Sequence, residues 1–136
     1  MAYNLMVFEI SNTPESKKEF IDWYEHLTNW SEDIDYNDPS NATIRLQNWF
    51  NEMIVTFPPM NGPLAPTDEE IDDNEELEMR LTDYSIATEA IYAAFALSLA
   101  ENAYNIAREL SDKHGIGFFD VSGKEDVTFP DGTRFL

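Results

Sequence analysis

The chain has two imidazoles, His26 and His114, and no cysteine to accompany them. A preformed zinc site needs three or four such ligands at short spacing, and each histidine stands alone in its segment. Neither reads as a metal ligand. His114 falls instead where the end of a helix favours a cation. Carboxylates are the abundant chemistry. Asp33, Asp35 and Asn37 recur at alternate positions, as the oxygen ligands of a calcium loop do. The sixth position, however, is Asp38 where that loop needs glycine, and the twelfth is Ile44 where it needs a bidentate glutamate. The segment reads as a solvated turn that caps the second helix of the chain. Residues 68–78 hold eight acidic side chains but lack ligand spacing, so they would gather cations only as a diffuse cloud. No metal or other cofactor is expected.

Nucleophilic chemistry has no more support. No serine sits in a Gly-x-Ser-x-Gly elbow or a Ser-x-x-Lys pair. Gly115 and Gly117 precede a strand pattern instead of joining strand to helix, so they do not form a phosphate cradle. Two constellations remain. Asp83, Tyr84 and Ser85 on one apolar segment, with Tyr92 and Asp120 on others, would share the open face of a half-buried sheet and offer a ligand surface. Trp30, beyond a helical stripe and in polar company, has the character of an interface anchor.

The balance of charge decides which partners suit these residues. Eight basic against 27 acidic residues leave a formal charge of −19. Nucleic acids and anionic membranes require a positive face, so neither is an expected partner. A basic protein is. Hydrophobic residues at 43% and nine phenylalanines supply a core, and 136 residues suit a single domain. The absence of cysteine and of a basic, apolar leader points to the cytoplasm. The longest uncharged apolar run, residues 90–100, is about half of what spans a bilayer.

These residues must be positioned by a small set of elements. Residues 5–10 read as a largely buried strand. Thr13 and Pro14 then suit the cap and first position of a helix running to about Thr28, with Phe20, Trp23, Tyr24 and Leu27 on one face. Residues 30–41 read as a loop. A second helix carries Leu46, Trp49, Phe50, Met53 and Phe57 and must stop at Pro58-Pro59. The stretch at about 58–80 is acidic and proline-containing, and reads as a mobile or weakly helical excursion from the single domain. Residues 82–87 and 91–97 read as antiparallel strands turning at Thr88-Glu89, although the alanines also allow one long helix from Glu89 to Lys113. Ser98 and Glu101 form a capping-box pattern that starts the last helix after the apolar run. Residues 116–121 give a core strand, and residues 127–129 a short appended one. The order β-α-(α)-β-β-α-β predicts an α+β, ferredoxin-like sandwich: an antiparallel sheet with helices on one face and the acidic loop inserted before the second strand.

Several stretches carry a resemblance that spans nearly the whole chain. They are Tyr3-Asn4-Leu5-Met6-Val7-Phe8, Trp23-Tyr24, Phe57-Pro58-Pro59-Met60-Asn61-Gly62-Pro63, Thr82-Asp83-Tyr84-Ser85-Ile86, Ile91-Tyr92 and the run from His114 to Ser122. Together they resemble a family of small acidic bacterial proteins without assigned activity. Such proteins look like the immunity proteins that accompany secreted antibacterial toxins, which are compact, cytoplasmic, acidic and enzymatically inert. The resemblance implies no catalytic residue. It implies a non-enzymatic protein that neutralises a basic toxin domain, such as a nuclease, by direct binding.

On that reading the partner meets Trp30, Asp33, Asp35 and Asp38 in one loop and Glu69, Glu70, Asp72 and Asp73 in the acidic run. The alternative is a small-molecule-binding or enzymatic domain using Asp83, Tyr84, Ser85, Tyr92 and Asp120 on the open sheet face. A homodimer packed through that face is a third arrangement compatible with the sequence.

Overall fold

The computed structural model describes residues 2–11 and 16–135. Its centre is β1 (Ala2–Phe8), in which Leu5, Met6, Val7 and Phe8 are all fully buried. An alternating strand hides one face, whereas a continuous apolar run must be covered on both. Leu5 and Val7 enter one core and Met6 and Phe8 the other.

Among the described residues six strands form one sheet. The others are β2 (Asp83–Ile86), β3 (Ala90–Ala96), β4 (Gly117–Phe119), β5 (Val127–Thr128) and β6 (Arg134–Phe135), in spatial order β2-β3-β1-β4-β5-β6. Every neighbouring pair is antiparallel. The hairpin at Thr88-Glu89 forms as expected, closed by the Ala87 amide on the Ala90 carbonyl at 2.9 Å. The single-helix alternative for residues 89–113 is thereby set aside, because the β3 alanines pack between two strands.

Helices cover both faces. On the first lie α2 (Ile44–Thr56) and α5 (Ala100–Lys113), with Leu46, Trp49, Phe50 and Met53 turned toward Ala103 and Ala107. Those small residues let the helices approach, and the Trp49 indole donates to the Ala107 carbonyl at 3.2 Å. Glu52 clamps the far ends together, accepting from Lys113 at 2.7 Å and pairing with His114, the C-cap of α5. On the second face α1 (Lys17–Leu27) lays Phe20, Trp23 and Tyr24 over Phe8 and Phe119. The expectation of helices on one face is therefore corrected. Met6, Phe8 and Phe119 leave an apolar second surface, and the aromatic stripe of α1 is what removes it from water.

Helix boundaries differ from expectation at their caps. Thr13 and Pro14 lie outside the described residues, and the cap observed for α1 is Ser16, whose hydroxyl accepts from the Glu19 amide. Thr43 caps α2. Ser98 and Glu101 do not form a capping box. Ser98 lies inside a 3-10 turn (Leu97–Leu99), and α5 begins behind Leu99 with no side-chain cap. The acidic excursion contains two short helices, α3 (Asp68–Asp72) and α4 (Glu75–Arg80), each started by its own cap, Thr67 and Asn74. No helix among the described residues is long and apolar enough to cross a membrane.

The approach of β4 to β1 depends on one glycine. A Cβ built on Gly117 would lie 2.2 Å from the Phe8 ring. Gly117→Ala is expected to cost roughly 1–3 kcal/mol, the usual range for overpacking a filled core. Urea unfolding measures this, and a cost much reduced in a Phe8→Leu background identifies the ring as its source.

Candidate functional site

The helix on the second face is too short to cover it. α1 lies over β1 and β4, and leaves the neighbouring parts of β2 and β3 open. Register decides what appears there: Asp83 faces Ala94 across the ladder, and Ser85 faces Tyr92. These four side chains floor a cleft of about 270 Å³. Tyr24 and Thr28, from the end of α1, form one wall, and Trp30 closes another.

Trp30 is positioned by its backbone. It adopts φ 51°, the left-handed region that costs a side-chain-bearing residue about 1–2 kcal/mol, and its amide donates to the Leu27 carbonyl at 3.1 Å. Its indole stands edge-on to Tyr92 at 5.9 Å and is backed by Tyr36 at 5.2 Å. Tyr24 stacks on Tyr92 at 6.5 Å. Burial, and then Tyr92 beside it, raises the Tyr24 phenol above its ordinary range. Trp30 is thus a half-buried wall of a cleft and not a projecting anchor.

A second depression adjoins the first and shares Asp83 and Ala94 with it. Its volume is about 380 Å³. Small residues of the sheet, Ala2, Ala94 and Ala96, make its floor, and Met60, Met79 and Leu81 its sides. Met60 and Met79 are exposed, and Glu78 stands on the rim. The two depressions meet at Asp83 and Ala94, and together they form a trough with an aromatic end and a methionine end.

The structure divides the remaining predicted residues. Tyr84 faces the opposite side of the sheet, buried against α2, and its hydroxyl donates to the Phe57 carbonyl at 2.8 Å. Asp120 follows β4, on the far side of β1, and accepts from the Tyr3 hydroxyl at 2.6 Å. The shared open face of Asp83, Tyr84, Ser85, Tyr92 and Asp120 is therefore corrected: strand alternation turns Tyr84 away, and strand order removes Asp120. Asp83, Ser85 and Tyr92 do come together, and Trp30 joins them.

Asp35 and Asp38 shape their own loop. Asp35 accepts from the Asn37 amide, and Asp38 caps the 3-10 turn (Pro39–Asn41), where the Ser40 hydroxyl and amide hold its carboxyl below the usual range. The cap for α2 is thus Thr43 and not this turn. Asp33 is exposed. Glu70 completes the capping box with Thr67, and Asp73 ends α3; Glu69 and Asp72 are exposed on that helix. Among the described residues no group of three or more His, Asp or Glu side chains could hold a metal ion.

Sequence reasoning missed Tyr24, Thr28 and the methionines of the groove. Tyr24 belongs to the stripe of α1, and its spacing resembles that of a core residue. The signal that it lies at the edge of that stripe is Thr28, one turn later, where apolar character ends.

Burial of the Tyr24 phenol gives a pH prediction. A group whose folded pKa is raised stabilises the fold fully below its unfolded value, near 10, and loses that contribution as pH rises toward the folded value. Tyr3 and Tyr84, also raised mainly by burial, act in the same direction. Stability is expected to fall above about pH 10, and to fall less steeply in Tyr24→Phe. Urea midpoints at pH 8, 10 and 11 test this, and equal slopes in both proteins would refute it.

Comparison of the chain with protein-family models, with curated proteins and with solved structures finds no match.

Proposed function

We propose that this chain is a non-enzymatic binding protein whose partner is a basic polypeptide. Its surface is the trough between Trp30 and Met79, and its mode is that of an immunity protein neutralising a basic toxin domain. The observation that carries this reading is the adjacency of two depressions that share Asp83 and Ala94. A small-molecule site concentrates its polar groups in one enclosed pocket, whereas a trough with an aromatic end, an acidic middle and a methionine end suits side chains of an extended surface. Methionine walls adapt to the shape of whatever is placed against them. The chain's charge of −19 would draw a basic partner in and orient it before contact.

The sheet supports a ferredoxin-like reading of the fold. β3 lies between β1 and β2, and β1 between β3 and β4, so both β-α-β units are split by one strand. On this reading α2 and α5 are the two helices of the motif and α1 is an addition on the opposite face. That addition creates the trough. The enzymatic alternative has less to support it, since two of its five residues, Tyr84 and Asp120, stand away from the cleft and are already hydrogen-bonded.

A photo-crosslinking residue placed at Met79 or Met60 in the source cells would capture the partner, and the purified pair would then be mixed. The association rate is expected to fall at least about tenfold as salt rises from low to several tenths molar. A stoichiometric amount of this protein should abolish the partner's own activity. An acidic partner, or an association rate indifferent to salt, would overturn the proposal.

A further inference from the structure

The aromatic end of the trough has the parts of a cation site. Tyr24, Trp30 and Tyr92 line one opening, and the faces of such rings attract cations through their quadrupoles. The opening also lies at the C-terminal end of α1, where Thr28 is the cap. The carbonyls of a helix end carry partial negative charge, here shared with the Thr28, Asn29 and Trp30 groups that donate to them. Asp83 is exposed at the rim, and no ion pair among the described residues includes it. No lysine or arginine lines the cleft. The formal charge of Asp83 is therefore not neutralised by any basic side chain of the lining.

Hydrogen bonding narrows the class. The Ser85 hydroxyl lines the same opening, and Thr28 still has acceptor capacity while donating to the Tyr24 carbonyl at 2.9 Å. With the two oxygens of Asp83 these present several acceptors beside flat π surfaces. An ammonium is compact and strongly hydrated; a guanidinium is planar, offers five donors in a fixed fork and stacks on aromatic rings. A volume of about 270 Å³ lies below the ~300–1,000 Å³ of sites for drug-sized ligands, and suits a single side chain.

We infer that the Tyr24–Trp30–Tyr92 cleft is a guanidinium-binding site, with Asp83 as counter-ion and an arginine side chain as its occupant. The source of that arginine, a basic polypeptide, rests on the function proposed above; the site itself does not.

Nα-acetyl-arginine amide is the probe, titrated into the intact protein while the Trp30 indole N–H is followed by NMR. The buried Trp49 indole serves as internal reference. Saturable shifts at Trp30 are expected with the arginine probe and not with the corresponding citrulline amide, which has nearly the same shape and no charge. Asp83→Asn, an exposed change that leaves the core intact, should weaken the probe by about fivefold or more. Trp30→Phe, followed at the Tyr92 ring, should weaken it about two- to fivefold. The inference is overturned if citrulline amide binds as well as the arginine probe, if Asp83→Asn changes nothing, or if no saturable shift occurs. Should the probe bind while no basic polypeptide does, the cleft stands and the polypeptide reading falls. A captured basic partner that binds Asp83→Asn undiminished, with the probe silent, removes the guanidinium site and leaves the polypeptide reading standing.

Discussion

The structure depends on a single strand that must be dry on both sides. Because Leu5, Met6, Val7 and Phe8 are all fully buried, β1 cannot leave either face to water, and β3 and β4 flank it within the sheet. Two layers of helix follow from this, α2 with α5 on one side and α1 on the other. The close approach of Gly117 to Phe8 follows as well, since the ring fills the space that a Cβ on β4 would need. The uncovered part of the sheet is what remains after this requirement is met. α1 has eleven residues and spends them on β1, β4 and the start of β3, so β2 and the Ala94 end of β3 are left open toward solvent on that side.

The outer edge of β2 is closed in a different way. The Thr82 amide donates to the Pro58 carbonyl, and its carbonyl accepts from Met60; the Ile86 amide donates to Tyr36, and the Ile86 carbonyl accepts from the Asn41 side chain. An exposed edge invites pairing with another chain, and these loops occupy the outward groups of Thr82 and Ile86 at the two ends of the strand. The partner proposed above would therefore meet side chains in the trough and would find little of the β2 edge free for strand addition.

The acidity is not uniform in its role. Asp68, Glu69 and Glu70 lie in the first turn of α3, and Glu75 and Glu76 in that of α4. Carboxylates there complement the helix dipole, so part of the acidic run serves its own local structure. Asp35 and Asp38 are engaged in turns, and Glu52 and Asp112 in ion pairs. Asp83 differs from these, standing on a strand between two depressions with no cation beside it among the described residues. Its importance comes from its neighbours and not from its contribution to a net charge.

The sequence by itself determined the elements that depend on neighbouring residues. The uninterrupted apolar run of β1 announced a largely buried strand, though not that helices would cover both its faces, the i, i+3, i+4 spacing of Phe20, Trp23 and Tyr24 announced α1, and Pro58-Pro59 ended α2. Thr88-Glu89 was legible as a turn between strands. Of the candidate site, Trp30, Asp83, Ser85 and Tyr92 were each legible as unusual, though they were assigned to two different surfaces. Only the tertiary structure decided that they form one cleft and that Tyr84 and Asp120 do not belong to it. Strand order and the side of the sheet that α1 covers arise from contacts between residues far apart in the chain. No local spacing encodes them, because a helix stripe records that a face is buried and not which surface buries it.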